Sequence, residues 1–180
     1  MSKQLRDVYV VAATRTPIGK SGRGVFKNTR PDDLLVATIK NALKQVPTLD
    51  PAAIEDAIVG CAMPEGEQGM NVAKIATLLS GLPKTVAGAT VNRFCAAGIT
   101  AVSMAADRIR VGEAEVMLAG GVESMSMVPM GGSKPSFNPA VVNLDENVGI
   151  AYGMGMTAEK VAEQWKVTRE EQDAFATESH

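Results

Sequence analysis

A chain of 180 residues, 46% hydrophobic but only 4% aromatic, can bury one sizeable core, built from alanine, aliphatic residues and ten methionines. Its net charge of -2, with both signs interspersed, gives no electrostatic basis for binding nucleic acid or an anionic membrane, and no run approaches the ~18 apolar residues of a membrane span. The two cysteines make no disulfide framework, one histidine excludes the usual zinc sets, and an N-terminus without the apolar stretch of a signal peptide predicts a cytoplasmic protein.

In chain order, residues 7–14 (DVYVVAAT) are valine-rich and uncharged after Asp7, which predicts a first strand covered on both faces. Residues 15–30 combine glycine, proline and cations and read as a loop. Pro31 then opens a helix, with Asp32 and Asp33 in its first turn, Lys40 and Lys44 toward its end, and an apolar stripe through Leu35, Ile39 and Leu43. Asp50 and Pro51 start a short helical turn, and residues 57–61 (AIVGC) form a second strand that ends on Cys61, expected as a core cysteine. After a loop at 63–69, Val72, Ile75, Ala76 and Leu79 mark a second helix, closed by Gly81 and Pro83. Alternating strands and helices argue for a layered α/β domain, with a mostly parallel mixed sheet and helices on both faces.

Residues 85–121 carry the chemistry. A strand of small residues runs through Asn92-Arg93-Phe94-Cys95 into a helix without charge from Ala96 to Ala106, and a helix apolar all round is expected to be buried. Cys95 at the helix start meets unpaired N–H groups and the positive end of the dipole, which stabilise a thiolate. A sharp turn also leaves the backbone N–H of a nucleophile free for an oxyanion. Position alone leaves Cys95 open between this role and that of a small buried hydrophobe. A fourth strand follows at 115–119. Beyond Gly121 the methionines Met125, Met127 and Met130 and several glycines and prolines give an irregular stretch, its methionines either gap-fillers or a pliable acyl-binding wall. Helices return at 157–165 and after Thr168, which forms a capping box with Glu171. His180 is assigned to a helix surface.

The runs VNRFCAAG (91–98), GGVESMS (120–126), RTPIGK (15–20), MGMTAE (154–159) and QDAFA (172–176) resemble, in family order, the thiolases, which cleave or form 3-ketoacyl-CoA. Ala97 departs from the serine usual there and removes one hydrogen bond from the first helical turn. The resemblance implies a thiolase-like N-terminal domain at 1–121, incomplete in this chain, and the start of an inserted coenzyme A-binding loop domain at 122–180. Cys95 would be the catalytic nucleophile and Met154 a coenzyme A contact. Coenzyme A and acyl-CoA would be substrates, with no metal or other cofactor, in a homo-oligomer, dimeric or tetrameric when whole, that serves fatty acid β-oxidation or the reverse condensation. The activating histidine, a second cysteine and an asparagine-held water belong to a second half of the family fold whose motifs are absent, so the chain alone is expected to be inactive. The rivals are a ketoacyl synthase, disfavoured by MGMTAE and GGVESMS, a noncatalytic assembly module, and a nucleotide-binding domain, which lacks a Gly-x-Gly-x-x-Gly turn.

Overall fold

The computed structural model describes residues 5–143 and 149–180. Residues 1–4 of the N-terminal stretch and 144–148 of the irregular one lie outside the described residues. The chain forms two compact units, Met1–Lys134 and Pro135–His180. The sequence-based boundary after Gly121 falls inside the first unit, because Ser124 and Val128 are buried there and Ser133 N–H donates to Glu65 Oε1 at 2.7 Å.

The first unit is built on three parallel strands, β1 (Asp56–Gly60), β2 (Ala87–Val91) and β3 (Met117–Gly121), in the order β2-β1-β3. Helices α1 (Pro31–Gln45), α2 (Val72–Leu79) and α3 (Ala97–Arg110) complete it. Because side chains alternate across a strand, β1 divides the core in two. Val59 and Cys61 join Leu35, Ile39, Val72, Ala73 and Ala76 of α1 and α2 on one face. Ile58 packs with Ala101 and Ala105 of α3 on the other. Cys61, the core cysteine the sequence predicts, is 1% exposed.

Local signals explain the element ends. Pro31 opens α1, and Asp32, buried in its first turn, is bracketed by the Arg30 guanidinium at 2.9 and 3.0 Å. Asp50 accepts from Ala52 N–H to start the short turn Pro51–Ala53. Gly81, at φ +83°, takes the left-handed conformation that follows α2.

Three expectations need correction. Residues 7–14 do not form a strand: Tyr9, Val10 and Val11 are 72–80% exposed. Strand pairing needs a neighbouring ladder, and this segment is instead tied by the Arg6 N–H to the Arg110 carbonyl and by the Gln45 amide to both backbone groups of Ala13. Helix α3 is buried on one face only. Ala97, Ala101 and Ala105 are enclosed against the sheet, whereas Ile99, Val102 and Met104 are exposed. The absence of charge reflected an apolar outer face that no described element of the unit covers. The sheet, expected to be mixed, is wholly parallel among the described residues.

A polar cluster ties the carboxyl ends of the strands together. Cys61 N–H donates to Val91 O and Val122 N–H to Gly60 O, both at 3.0 Å. The Glu123 carboxylate then accepts from the Ala62 N–H at 2.7 Å and from the Gln68 side chain, and lies 3.9 Å from Cys61 Sγ. Gln68, fully buried, also donates to Met63 O and accepts from Ser124 N–H, so its amide is satisfied at both ends. At the amino ends, Arg108 of α3 reaches Asp56 of β1 at 2.5 Å and Glu113 at 3.2 Å, and Arg6 pairs with Glu115.

The second unit contributes α4 (Pro139–Asn143), which the sequence did not predict, α5 (Met154–Trp165) and α6 (Arg169–Ser179). Helix α5 starts three residues before the expected Thr157. The Thr168 and Glu171 capping box at the start of α6 is present in both directions. His180 is exposed at the end of α6, with Nδ1 2.9 Å from Ala176 O. No helix among the described residues is long and apolar enough to cross a membrane.

Two outcomes test this packing. Ala101→Leu, which overfills the α3–sheet contact, should lower stability by about 1–3 kcal/mol in urea titration, while exposed Val102→Ala should change it by less than about 0.5 kcal/mol. Burial first, then Glu123, raises the Cys61 thiol from its ordinary 9.0 to about 11. The neutral thiol therefore supports the fold fully below pH 9.0, and that support is lost as pH rises through about 11. In Cys61→Ala the fall of melting temperature across that window should be shallower than in the parent chain; equal slopes would show that Cys61 does not carry it.

Candidate active site

The carboxyl edge of the sheet is where a parallel α/β layer exposes its loops, and it is the end where Val91, Gly60 and Gly121 stand side by side in register. The connections from β1 and β2 leave this edge on opposite faces, through α2 and α3. Cys95 sits there, four residues beyond β2, as an exposed free thiol.

The turn that holds it is built from small residues and one amide. Gly60 is the decisive neighbour: a Cβ at that position would collide with the backbone of Ala97 and Gly98, so only glycine lets the first turn of α3 settle on β1. Gly98 and Gly121 face each other beside it, with an added Cβ on Gly121 only 3.7 Å from Gly98 Cα. Ala97, the departure from serine, is 3% exposed in this contact. Between β2 and α3, Phe94 adopts φ +46° and its N–H donates to Asn92 Oδ1 at 2.8 Å. The carbonyls of Arg93 and Phe94 accept from Ala96 and Ala97 N–H at 3.1 and 3.0 Å.

Cys95 lies one residue before Ala96, the N-cap of α3, so it is just outside the helix whose start the sequence assigned to it. It remains beside the helix N-terminus, in an isolated parallel bridge with Arg93. The arrangement places a solvent-accessible thiol next to the positive end of a helix dipole, a setting suited to a nucleophile.

The other expected site residues are placed as follows. Glu123 and Ser124 of the GGVESMS run serve the strand-end cluster, and Met125 and Met130 are exposed. Met154 begins α5 in the second unit and is 59% exposed. Among the described residues no group of three or more His, Cys, Asp and Glu side chains is arranged to hold a metal ion. Sequence reasoning missed Gly60 and Asn92. An asparagine two residues before a non-glycine turn residue was a readable signal for the second; the first shows only once the helix and strand are paired.

The family model described as "Thiolase, N-terminal domain" matches residues 8–180. The 3-ketoacyl-CoA thiolase of Bacillus subtilis is 42% identical over 176 residues, which cover 98% of this chain and 44% of that protein. That of Colwellia psychrerythraea is 44% identical, covering 98% and 45%. Among solved structures, the acetyl-CoA acetyltransferase of Bacillus anthracis superposes with a TM-score of 0.78 at 34% identity, over 96% of this chain and 45% of that one. The Acat5 thiolase of Ascaris suum, solved in complex with coenzyme A, gives 0.79 at 33% identity, over 97% and 47%. The chain thus spans less than half the length of the relatives it matches, and it belongs to the thiolase family through that family's N-terminal domain.

Proposed function

We propose that this chain is the nucleophile-bearing part of an acyl-CoA thiolase, a cytoplasmic homo-oligomer, with Cys95 as its catalytic residue. The observation that carries the reading is the exposed Cys95 thiol beside the α3 N-terminus at the carboxyl edge of the sheet. In the degradative direction the Cys95 thiolate attacks the 3-keto carbon of a ketoacyl-CoA. The carbon-carbon bond to the acetyl-CoA portion breaks, its electron pair takes up a proton, and acetyl-CoA leaves. The acyl group, held as a thioester on Cys95 Sγ, then passes to the thiol of a second coenzyme A and regenerates the thiolate. The reverse sequence is a Claisen condensation. Covalent capture splits one difficult cleavage into two steps, and in the whole enzyme the Cys95 N–H would help hold the developing oxyanion.

Coenzyme A is a substrate in this scheme, and no metal takes part. That a structurally matched thiolase was solved in complex with coenzyme A supports this choice of substrate. The second unit is then the beginning of the loop domain that holds it, with Met154 as a contact. Fatty acid β-oxidation is the setting favoured by the relatives named 3-ketoacyl-CoA thiolases. The histidine, second cysteine and bound water that the family resemblance assigns to proton transfer lie in the other half of the fold.

Loss of the enolate absorbance of acetoacetyl-CoA on adding coenzyme A tests this directly. The chain extended through the second half should turn over, and its Cys95→Ala variant should fall to background. The 180-residue chain alone should show none, because each missing proton transfer is worth ~10²–10⁴ in rate. Equal rates for the short and extended chains, or full activity in Cys95→Ala, would refute the assignment. In the extended chain, Met154→Ala should raise KM for coenzyme A about threefold or more with kcat little changed, the signature of lost uniform binding.

A further inference from the structure

The link between β2 and α3 is fixed at both ends. Val91 is held through its carbonyl by the Cys61 N–H, and Ala97 is lodged against Gly60. Between them the chain turns through Phe94 at φ +46°, a conformation that L residues other than glycine, asparagine and aspartate rarely adopt. Phenylalanine brings no local hydrogen bond of its own to that region. Nor does packing hold it there, since the Phe94 side chain is 64% exposed. Two hydrogen bonds hold Phe94: its carbonyl accepts from Ala97 N–H at 3.0 Å, and its N–H donates to Asn92 Oδ1 at 2.8 Å, the one side-chain restraint and the geometry of an Asx-turn.

We propose that Asn92 is the positioning residue for Cys95: its carboxamide oxygen keeps Phe94 left-handed and thereby presents the thiol beside the α3 N-terminus. The proposal rests on the reading of Cys95 as nucleophile. Asn92 does not touch the reacting atoms. Without its bond, Phe94 relaxes toward a negative φ, and the direction in which the chain leaves β2 changes one residue before Cys95. The thiol is then no longer presented beside the start of α3.

The test uses the 180-residue chain and the second-order rate of iodoacetamide with each cysteine, mapped by peptide mass from about pH 6 to about 9, where thiolate content sets the rate. Asn92→Ala should slow Cys95 about tenfold, consistent with losing a conformation that a non-glycine residue holds only under restraint, while Cys61 stays protected. Asn92→Ser, which keeps a hydroxyl acceptor at the same place, should remain within about threefold of the parent. Phe94→Gly placed on Asn92→Ala should recover most of the rate, because glycine takes φ > 0 without the restraint. A general loss of structure would instead expose Cys61 and would not be repaired by adding a glycine. The proposal is overturned if Asn92→Ala labels Cys95 at the parent rate, or if a folded Asn92→Ala/Phe94→Gly chain, judged by Cys61 protection, stays slow. If the parent chain labels Cys95 no faster than Cys61, the nucleophile reading itself fails.

Discussion

The contact on which the site depends is the approach of the α3 backbone to β1 at Gly60. A helix normally stands off a sheet by the depth of its side chains. Here the first turn of α3 sits where a single methyl group on Gly60 would overlap Ala97 and Gly98. That closeness fixes how far Cys95 projects beyond the sheet edge. The rest of α3 continues the same logic, since Ala101 and Ala105 keep the enclosed face small along its length. At the far end the Arg108 guanidinium holds Asp56 on the same strand, on the same face as Ile58 and Gly60. One strand thus seats both ends of one helix, by steric permission at the carboxyl end and by charge at the amino end.

The two cysteines show how much environment decides. Both follow the last residue of a strand in the same parallel sheet. Cys61 directly succeeds β1, turns inward and is enclosed, and a carboxylate 3.9 Å away further disfavours its ionised form. Cys95 stands beyond a three-residue link that carries it out of the sheet to the start of a helix. Cys95 offers an accessible thiol for covalent chemistry, whereas Cys61 is enclosed and its thiol is pushed up to about 11.

Much of the fold was legible in the sequence because its signals are local. The proline and acidic first turn of α1, the glycine after α2, the capping box of α6 and the strand of small residues before Cys95 all lie within a few residues of what they determine. Cys61 was legible as core for the same reason. The failures are all non-local. Residues 7–14 have strand composition, yet a strand is defined by its neighbour, and composition cannot say whether one is there. Uniform apolarity in α3 identified a helix with no solvent-adapted face; it could not say that only one side meets the sheet within this unit. The strand-end cluster of Gln68 and Glu123 joins residues 55 apart, and nothing in either neighbourhood announces it.

The exposed face of α3 and the incomplete chemistry of the site point to the same missing matter. Ile99, Val102 and Met104 form an apolar surface on the helix that Cys95 directly precedes, one residue before its N-cap. The matched relatives are more than twice as long as the matched span. A helix that needs a second layer to cover its outer side, and a thiol that needs donors and acceptors from elsewhere to complete acyl transfer, are satisfied together if what covers the one also supplies the other. Groups that act as a unit lose their effect together when some are removed. In the proposed reaction the Cys95 turn is one such group, and the geometry of this half sets where the others would have to meet it.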